Sequence, residues 1–174
     1  MRRVLEHCEL RPFTAADAPS FARYANDLTV WRNLRDVFPH PYTLEHAVAF
    51  LEHVATRPPG CHMAIVIGGE AVGSIGLKLG TDVERVSAEL GYWLGAPFRG
   101  RGVMSEAIRA FTDDAFDRFA LSRIFALPFA HNGASCRALE KAGFTLEGVL
   151  RWSAIKEGQN IDQRQYARVR GPTA

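Results

Sequence analysis

Cysteine is scarce and scattered. The 174-residue chain has three, Cys8, Cys61 and Cys136. Their number is odd and none sits in a CxxC or Cys/His ligand spacing, which argues against a disulfide scaffold or a zinc site and fits a reduced, metal-free protein of the cytoplasm. A strong charge imbalance is also missing: the formal net charge is +2, and no run of Lys or Arg exceeds two residues. No nucleic-acid partner is indicated. Nor does any apolar run approach the roughly 20 residues of a membrane-spanning helix. The opening "MRRVLEHCELRPF" has Arg2 and Arg3 with no apolar stretch behind them, so neither secretion nor membrane insertion is expected. What is present, 47% hydrophobic and 23% charged residues, suits one domain spanning 1–174.

Along the chain, "HCELRPF" reads as a first strand and "TAADAPSFARYAND" as a helix with Thr14 as N-cap and Asp17 three residues on. A short helix is expected over Val30 to Leu34. "DVFPHPY" is a proline-bounded loop, and Thr43 caps the next helix, "TLEHAVAFLEHVATR", which stops before Pro58. "CHMAIVI" and "AVGSIGLKL", joined by Gly68 and Gly69, carry a hairpin signal. "ERVSAELGYWL" supplies a third strand. The helix "VMSEAIRAFTDDAFDRFA" follows, with Val103, Ala107, Phe111, Ala115 and Phe119 on one face. After it come a strand, "SRIFALPF", a helix, "GASCRALEKA", closed by Gly143, and two closing strands, "FTLEGVL" and roughly "WSAIKEGQNIDQRQYARV", the latter turning at "KEGQN". This order argues an α+β or mixed α/β domain around one twisted sheet. Trp31, Phe38, Tyr42 and Trp152 are expected in the core.

"APFRGRGVMSEAI", residues 96–108, places two glycines and two arginines where a helix opens. Free backbone N–H groups and the positive helix end make such a loop an anion site. A Walker loop would require GxxxxGK followed by Ser or Thr, and the lysine is absent. A dinucleotide fingerprint is incomplete, because Ser105 stands where its third glycine belongs. Taken alone, the loop is also compatible with a plain turn carrying solvated arginines.

Three segments, "VWRNLRDVFPHPYTLEHAVAFL", "AELGYWLGAPFRGRGVMSEAIRAFTDDAF" and "RIFALPFAHNGASCRALEKAGFTLEGVLR", together resemble the GCN5-related N-acetyltransferases (GNAT), specifically the ribosomal-protein N-acetyltransferase (RimJ/RimL-like) branch. The resemblance covers nearly the whole chain, in the family's order. It implies a central, mostly antiparallel sheet of about seven strands, splayed in the middle and flanked by about four helices. It also implies acetyl-CoA as co-substrate and no metal. The family's phosphate pattern, Gln/Arg-x-x-Gly-x-Gly/Ala, maps onto Arg99, Gly102 and position 104. There this chain has Met104 where the family has a small residue. Gly100, Arg101, Val103 and Ser105 complete the expected pyrophosphate loop.

The resemblance further implies that the pantetheine arm lies along "ELGYWLG", with backbone groups of Tyr92, Trp93 and Leu94 serving the cofactor and one N–H facing the thioester oxygen. Asn132 matches the family's pantetheine-contacting asparagine, and Ser135 the serine this branch aims at the CoA sulfur. Many other branches use a helix tyrosine at the position of Leu139, which favours Ser135 as the donor. Helix capping is the plainer role for both Asn132 and Ser135. Glu89, on the strand beside the thioester site, is the candidate base, acting through water. By alternation it shares a face with Gly91 and Trp93. His40 and His131 are weaker candidates at the acceptor and cofactor sides. Glu106 is expected to be solvated or to complement the helix end, Cys136 to be no nucleophile, and the acids of "TDDAFD" to form a solvated face.

The expected reaction is direct acetyl transfer to a primary amine, either a protein N-terminal α-amino group or a small-molecule amine. Met104 and the missing tyrosine motivate the alternative of a non-catalytic acyl-CoA-binding or sensing module, and a homodimer is the base-rate expectation.

Overall fold

The computed structural model describes residues 2–171. It contains one eight-stranded sheet, in the order β1-β2-β3-β4-β5-β6-β8-β7, and five helices. The class matches the expected mixed, mostly antiparallel fold, with eight strands and five helices in place of about seven and about four. The extra strand is β1 (Arg3–Val4), which pairs with β2 (Glu9–Arg11). Two exposed residues carry no apolar alternation, so β1 leaves no pattern to read. β3 (His62–Ile67), β4 (Glu70–Leu79) and β5 (Ser87–Leu94) follow, then β6 (Arg123–Ala126), β7 (Thr145–Lys156) and β8 (Gln159–Val169). The helices are α1 (Ala18–Ala25), α2 (Leu28–Trp31), α3 (Leu44–Ala55), α4 (Val103–Arg118) and α5 (Gly133–Lys141). No helix among the described residues is long and apolar enough to cross a membrane.

The chain divides into two compact units, each made of two separate stretches. The first holds the residues up to Gly76 together with Tyr92–Ala107. Its entry to α1 is the expected one: Thr14 and Asp17 form a capping box, and Arg11 grips the Asp17 carboxylate at 2.7 and 2.8 Å. α2 lies earlier than expected because Asp27, whose side chain accepts from Thr29 N, caps it. Thr43 caps α3. Gly68 and Gly69, at φ +59° and +85°, make the tight β3–β4 turn in the two left-handed positions that such a hairpin requires. Aromatic rings fill the core: Phe21 lies 4.9 Å from Trp93, 5.1 Å from Phe50 and 5.3 Å from Phe13 between ring centroids. Tyr42 is buried with them, and Phe38 packs against the cluster.

The second unit comprises Leu77–Gly91 and the chain from Ile108 onward. β5 joins β6 in parallel at three register pairs, Ser87–Arg123, Ala88–Ile124 and Glu89–Phe125, where the ladder ends. β5 itself continues to Leu94. β6 is half the length expected from "SRIFALPF". α5 closes at Gly143 as expected: at φ +90° this residue donates to Glu140 O, and Phe144 N donates to Leu139 O.

The closing strands form one long hairpin turned at Glu157 and Gly158. The break expected near residue 151 is a bulge between Leu150 and Ala154, with Trp152 at φ +51° and its N–H donated to Asp162 Oδ1. That bulge turns Trp152 outward to 76% exposure, so it is not a core residue. Phe119 is also only half-buried, and Ile108 and Phe116 occupy the buried face of α4 instead. Four steps of a strict four-residue spacing drift away from a 3.6-residue period, which carries Phe119 off the stripe.

Candidate active site

In the first unit, β5 ends at Leu94 and a short 3₁₀ turn, Ala96–Phe98, delivers the loop that opens α4. Gly100 and Gly102 lie at φ +77° and +84°, a conformation that side-chain-bearing residues adopt only with strain. A Cβ at Gly100 would meet nothing within 4 Å, so the loop's backbone faces open space there. The first amides of a helix have no partner within it. Among the described residues no side chain accepts from the N–H of Val103, Met104 or Ser105. Val103 is buried, Met104 and Ser105 are half-buried, and Arg101 is exposed. The donor set fits an anionic group such as a pyrophosphate.

Arg99 is tied into the protein. Its Nε donates to Leu94 O at 2.9 Å and its Nη1 to Thr29 Oγ1 at 2.9 Å. Burial lowers its pKa, against the pull of Asp27. The guanidinium therefore braces the loop against the end of β5 and the first turn of α2. Trp93 is buried with its ring in the aromatic cluster, while Tyr92 is half-buried. The Trp93 ring is thus taken up by the core.

Sequence reasoning missed what holds the other side of the loop. The Glu106 carboxylate accepts from Glu6 N at 2.7 Å, from His7 N at 3.1 Å, and sits 3.1 Å from His7 Nδ1. Glu106 is thus neither solvated nor a cap of its own helix. The His7 ring lies over the loop, its Cε1 4.0 Å from where a Cβ on Gly102 would be. Burial, with the Glu106 charge adding to it, pushes the neighbouring Cys8 thiol up to about 12.

In the second unit, the Asn132 side-chain oxygen accepts from Ser135 N at 3.1 Å, which brings the two predicted residues together at the start of α5. Ser135 is half-buried and Cys136 buried. The helix is anchored from behind by Tyr166, fully buried on β8, whose hydroxyl donates to Glu140 Oε1 at 2.7 Å. Burial first, and this contact second, push the Tyr166 phenol up to about 12. Leu139, at the place of the absent tyrosine, is wholly buried.

Glu89 is half-buried on β5 at the last pair of the β5–β6 ladder. Gly91, two residues on, is exposed with nothing near its Cα substituent position. His131 is exposed against Phe129, and His40 lies 5.8 Å from the Trp31 ring. The acids of "TDDAFD" lie at the surface, Asp117 at 77% side-chain exposure, and each also forms an ion pair: Asp113 with Arg168 at 2.7 Å, Asp114 with Arg118 at 3.0 Å, and Asp117 with Arg170.

A mixed sheet whose parallel pair stops partway is thus combined with a glycine loop at a helix start. Residues 7–145 match the model of the acetyltransferase (GNAT) domain. The chain is 32% identical over 168 residues to "Uncharacterized N-acetyltransferase YoaA" of Bacillus subtilis, covering 92% of each. It is 26% identical to the L-amino acid N-acetyltransferase AaaT of Escherichia coli, covering 96% of this chain and 98% of that one. A 65-residue stretch is 45% identical to "Probable N-acetyltransferase YjcK" of Bacillus subtilis, 37% of this chain and 36% of that one.

Two solved structures share the fold at 23% identity. The microcin C7 self-immunity acetyltransferase MccE, in complex with acetyl-CoA and AMP, matches with a TM-score of 0.82, covering 95% of this chain and 93% of that one. RimL, a ribosomal L7/L12 alpha-N-protein acetyltransferase in complex with coenzyme A, matches with a TM-score of 0.83, covering 96% of each. The chain belongs to the GNAT family and is an acetyltransferase enzyme. Ribosomal-protein acetyltransferases are among its relatives.

Proposed function

We propose that the protein transfers the acetyl group of acetyl-CoA directly to a primary amine, the α-amino group of a protein N-terminus or of a small molecule. The observation that carries this reading is the loop at 99–105: two glycines in the left-handed region ahead of a helix whose first three amides meet no side-chain acceptor. It is supported by the co-substrates in the MccE and RimL structures and by the acceptors named for RimL and AaaT.

Each of the chain's residues then has a task. The amides of Val103, Met104 and Ser105, with the turns at Gly100 and Gly102, hold the pyrophosphate, and Arg99 keeps the loop in place from behind. Met104 contributes its backbone N–H, so its larger side chain is tolerated. Backbone groups of Tyr92, Trp93 and Leu94 orient the pantetheine arm, one N–H turned to the thioester oxygen, where negative charge develops during attack. The side-chain amide of Asn132 donates to the pantetheine while its oxygen serves Ser135 N.

The thioester supplies an activated acetyl carbon. The acceptor arrives as an ammonium and must lose a proton before its nitrogen can attack, and Glu89 takes that proton through water. As the new C–N bond forms and the C–S bond breaks, a second proton leaves the nitrogen and is relayed through the Ser135 hydroxyl to the departing sulfur. A thiol rather than a thiolate is released.

Calorimetric titration with acetyl-CoA, CoA and ATP, without and then with magnesium, tests the reading. Micromolar, magnesium-independent binding of acetyl-CoA with much weaker ATP is expected; absence of acetyl-CoA binding overturns it. Mass spectrometry over an amine panel then identifies the acceptor. Glu89→Gln and Ser135→Ala variants should each slow transfer by about 10- to 1,000-fold, and unchanged rates would remove those two roles. Binding without turnover on any amine would favour the sensing alternative.

A further inference from the structure

We infer that His7, held by Glu106, is the side chain that recognises a phosphate of the co-substrate on the 99–105 loop. The inference rests on the functional reading above and adds a specificity-determining residue to it. The geometry comes from a contact about a hundred residues long in sequence. Glu106 sits in the first turn of α4 and binds the backbone N–H of Glu6 and of His7, so the segment before β2 is strapped to the mouth of the loop. The same carboxylate takes the His7 Nδ1–H at 3.1 Å. One ring nitrogen is thereby fixed as a donor to Glu106, and the ring lies against Gly102.

No hydrogen bond engages His7 Nε2 among the described residues, and the side chain is 41% exposed. With Nδ1–H given to Glu106, Nε2 is the ring's remaining polar atom, and in the doubly protonated ring it is a second donor. The loop otherwise offers a phosphate only backbone amides and the exposed Arg101, which no neighbour holds in place among the described residues. His7 is the side chain at the loop whose direction is set by the fold. Glu106 acts through His7 and is a positioning residue: it supplies no contact to the ligand. Of the other acids of this segment, Glu9 is paired with Arg2, while a Glu6 carboxylate oxygen lies within 4.8 Å of both the Glu106 carboxylate and a His7 ring nitrogen.

The test is calorimetric binding of CoA to the intact protein and to three variants, with melting curves alongside. His7→Phe keeps a ring against Gly102 and removes charge and donor; it should weaken CoA about 10- to 100-fold. His7→Lys keeps a cation and should stay within about threefold of wild type. Glu106→Gln keeps a backbone acceptor but loses the charge on Nδ1 and should weaken CoA about 3- to 10-fold. The gap between wild type and His7→Phe should narrow as salt rises from about 0.05 M to about 0.5 M.

Equal CoA affinity in wild type and His7→Phe overturns the inference. So does an equal loss in His7→Phe and His7→Lys, or a gap that ignores salt, since each would mark the ring as packing alone. Failure of the wild-type protein to bind CoA is a different result: it overturns the functional reading, and this inference with it.

Discussion

The helices α4, entered from Gly102, and α5, which starts at Gly133, dispose of their first amides in opposite ways. At α5, Asn132 folds its side-chain oxygen back onto Ser135 N and the helix end is closed by its own chain. At α4, an acid stands in the first turn, where it would complement the positive end of the helix. That acid, Glu106, spends its carboxylate on Glu6 and His7 instead. A capped end is a joint of the fold. An end left without a side-chain acceptor behind two left-handed glycines is the feature on which the proposed anion site rests.

The contrast is broken most severely by giving α4 a counter-charge of its own. Ser105→Asp places a carboxylate at the amides proposed for the pyrophosphate; acetyl-CoA affinity should fall about 100-fold, while the melting temperature holds or rises, since an acid there favours the helix by about 0.3–1 kcal/mol. Normal binding by this variant would show that those amides are not the anion site. Gly102→Ala is next. At φ +84° a Cβ costs about 1–2 kcal/mol, to be read as a lower urea midpoint, with about a tenfold loss of acetyl-CoA affinity.

At α5 the effects should be smaller and separable. Asn132→Ala removes the cap and should cost about 1 kcal/mol of stability. Asn132→Asp keeps the accepting oxygen and should keep the stability, yet it loses the donor to pantetheine and should raise the KM for acetyl-CoA. An unchanged KM in both variants would leave Asn132 a cap and nothing more.

The smallest effect lies away from both helix starts. The hydrogen bonds of Arg123 hold the Glu147 carboxyl down to about 2, below its ordinary 4.5, with Gln165 assisting. A carboxyl whose pKa is lowered on folding stabilises above its unfolded value and loses that contribution as pH falls. Glu147→Gln should therefore melt slightly earlier than wild type at pH 7, by about 0.5 kcal/mol for so exposed a pair. The difference should close progressively below about pH 4.5.

What the sequence announced was local. Thr14, Thr43, Gly68–Gly69 and Gly143 each fix a boundary within four residues of themselves, and the structure puts a cap, a cap, a turn and a stop there. The glycines of the 99–105 loop were legible for the same reason, since positive φ is a property of a single residue. Glu106 was not, because its partners lie 99 and 100 residues away and nothing in "VMSEAI" points to them. The partners of Asp113 and Asp117 are hidden from the sequence in the same manner: Arg168 stands on β8 and Arg170 just past its end. A bulge looked like a strand break at Trp152, because a left-handed residue interrupts alternation whether or not pairing resumes beyond it.

Each compact unit is built from two stretches of chain interleaved with the other's. For a polypeptide emerging from a ribosome this sets an order of events. The first unit cannot be finished when Gly76 appears, because Trp93, the ring on which Phe21 and Phe38 close, is still unmade. Leu77–Gly91, which belongs to the second unit, must be exported first and wait for Ile108 onward. Folding strictly from N- to C-terminus, unit after unit, is closed to this chain, and a cut between Gly76 and Leu77 yields no fragment with a complete core.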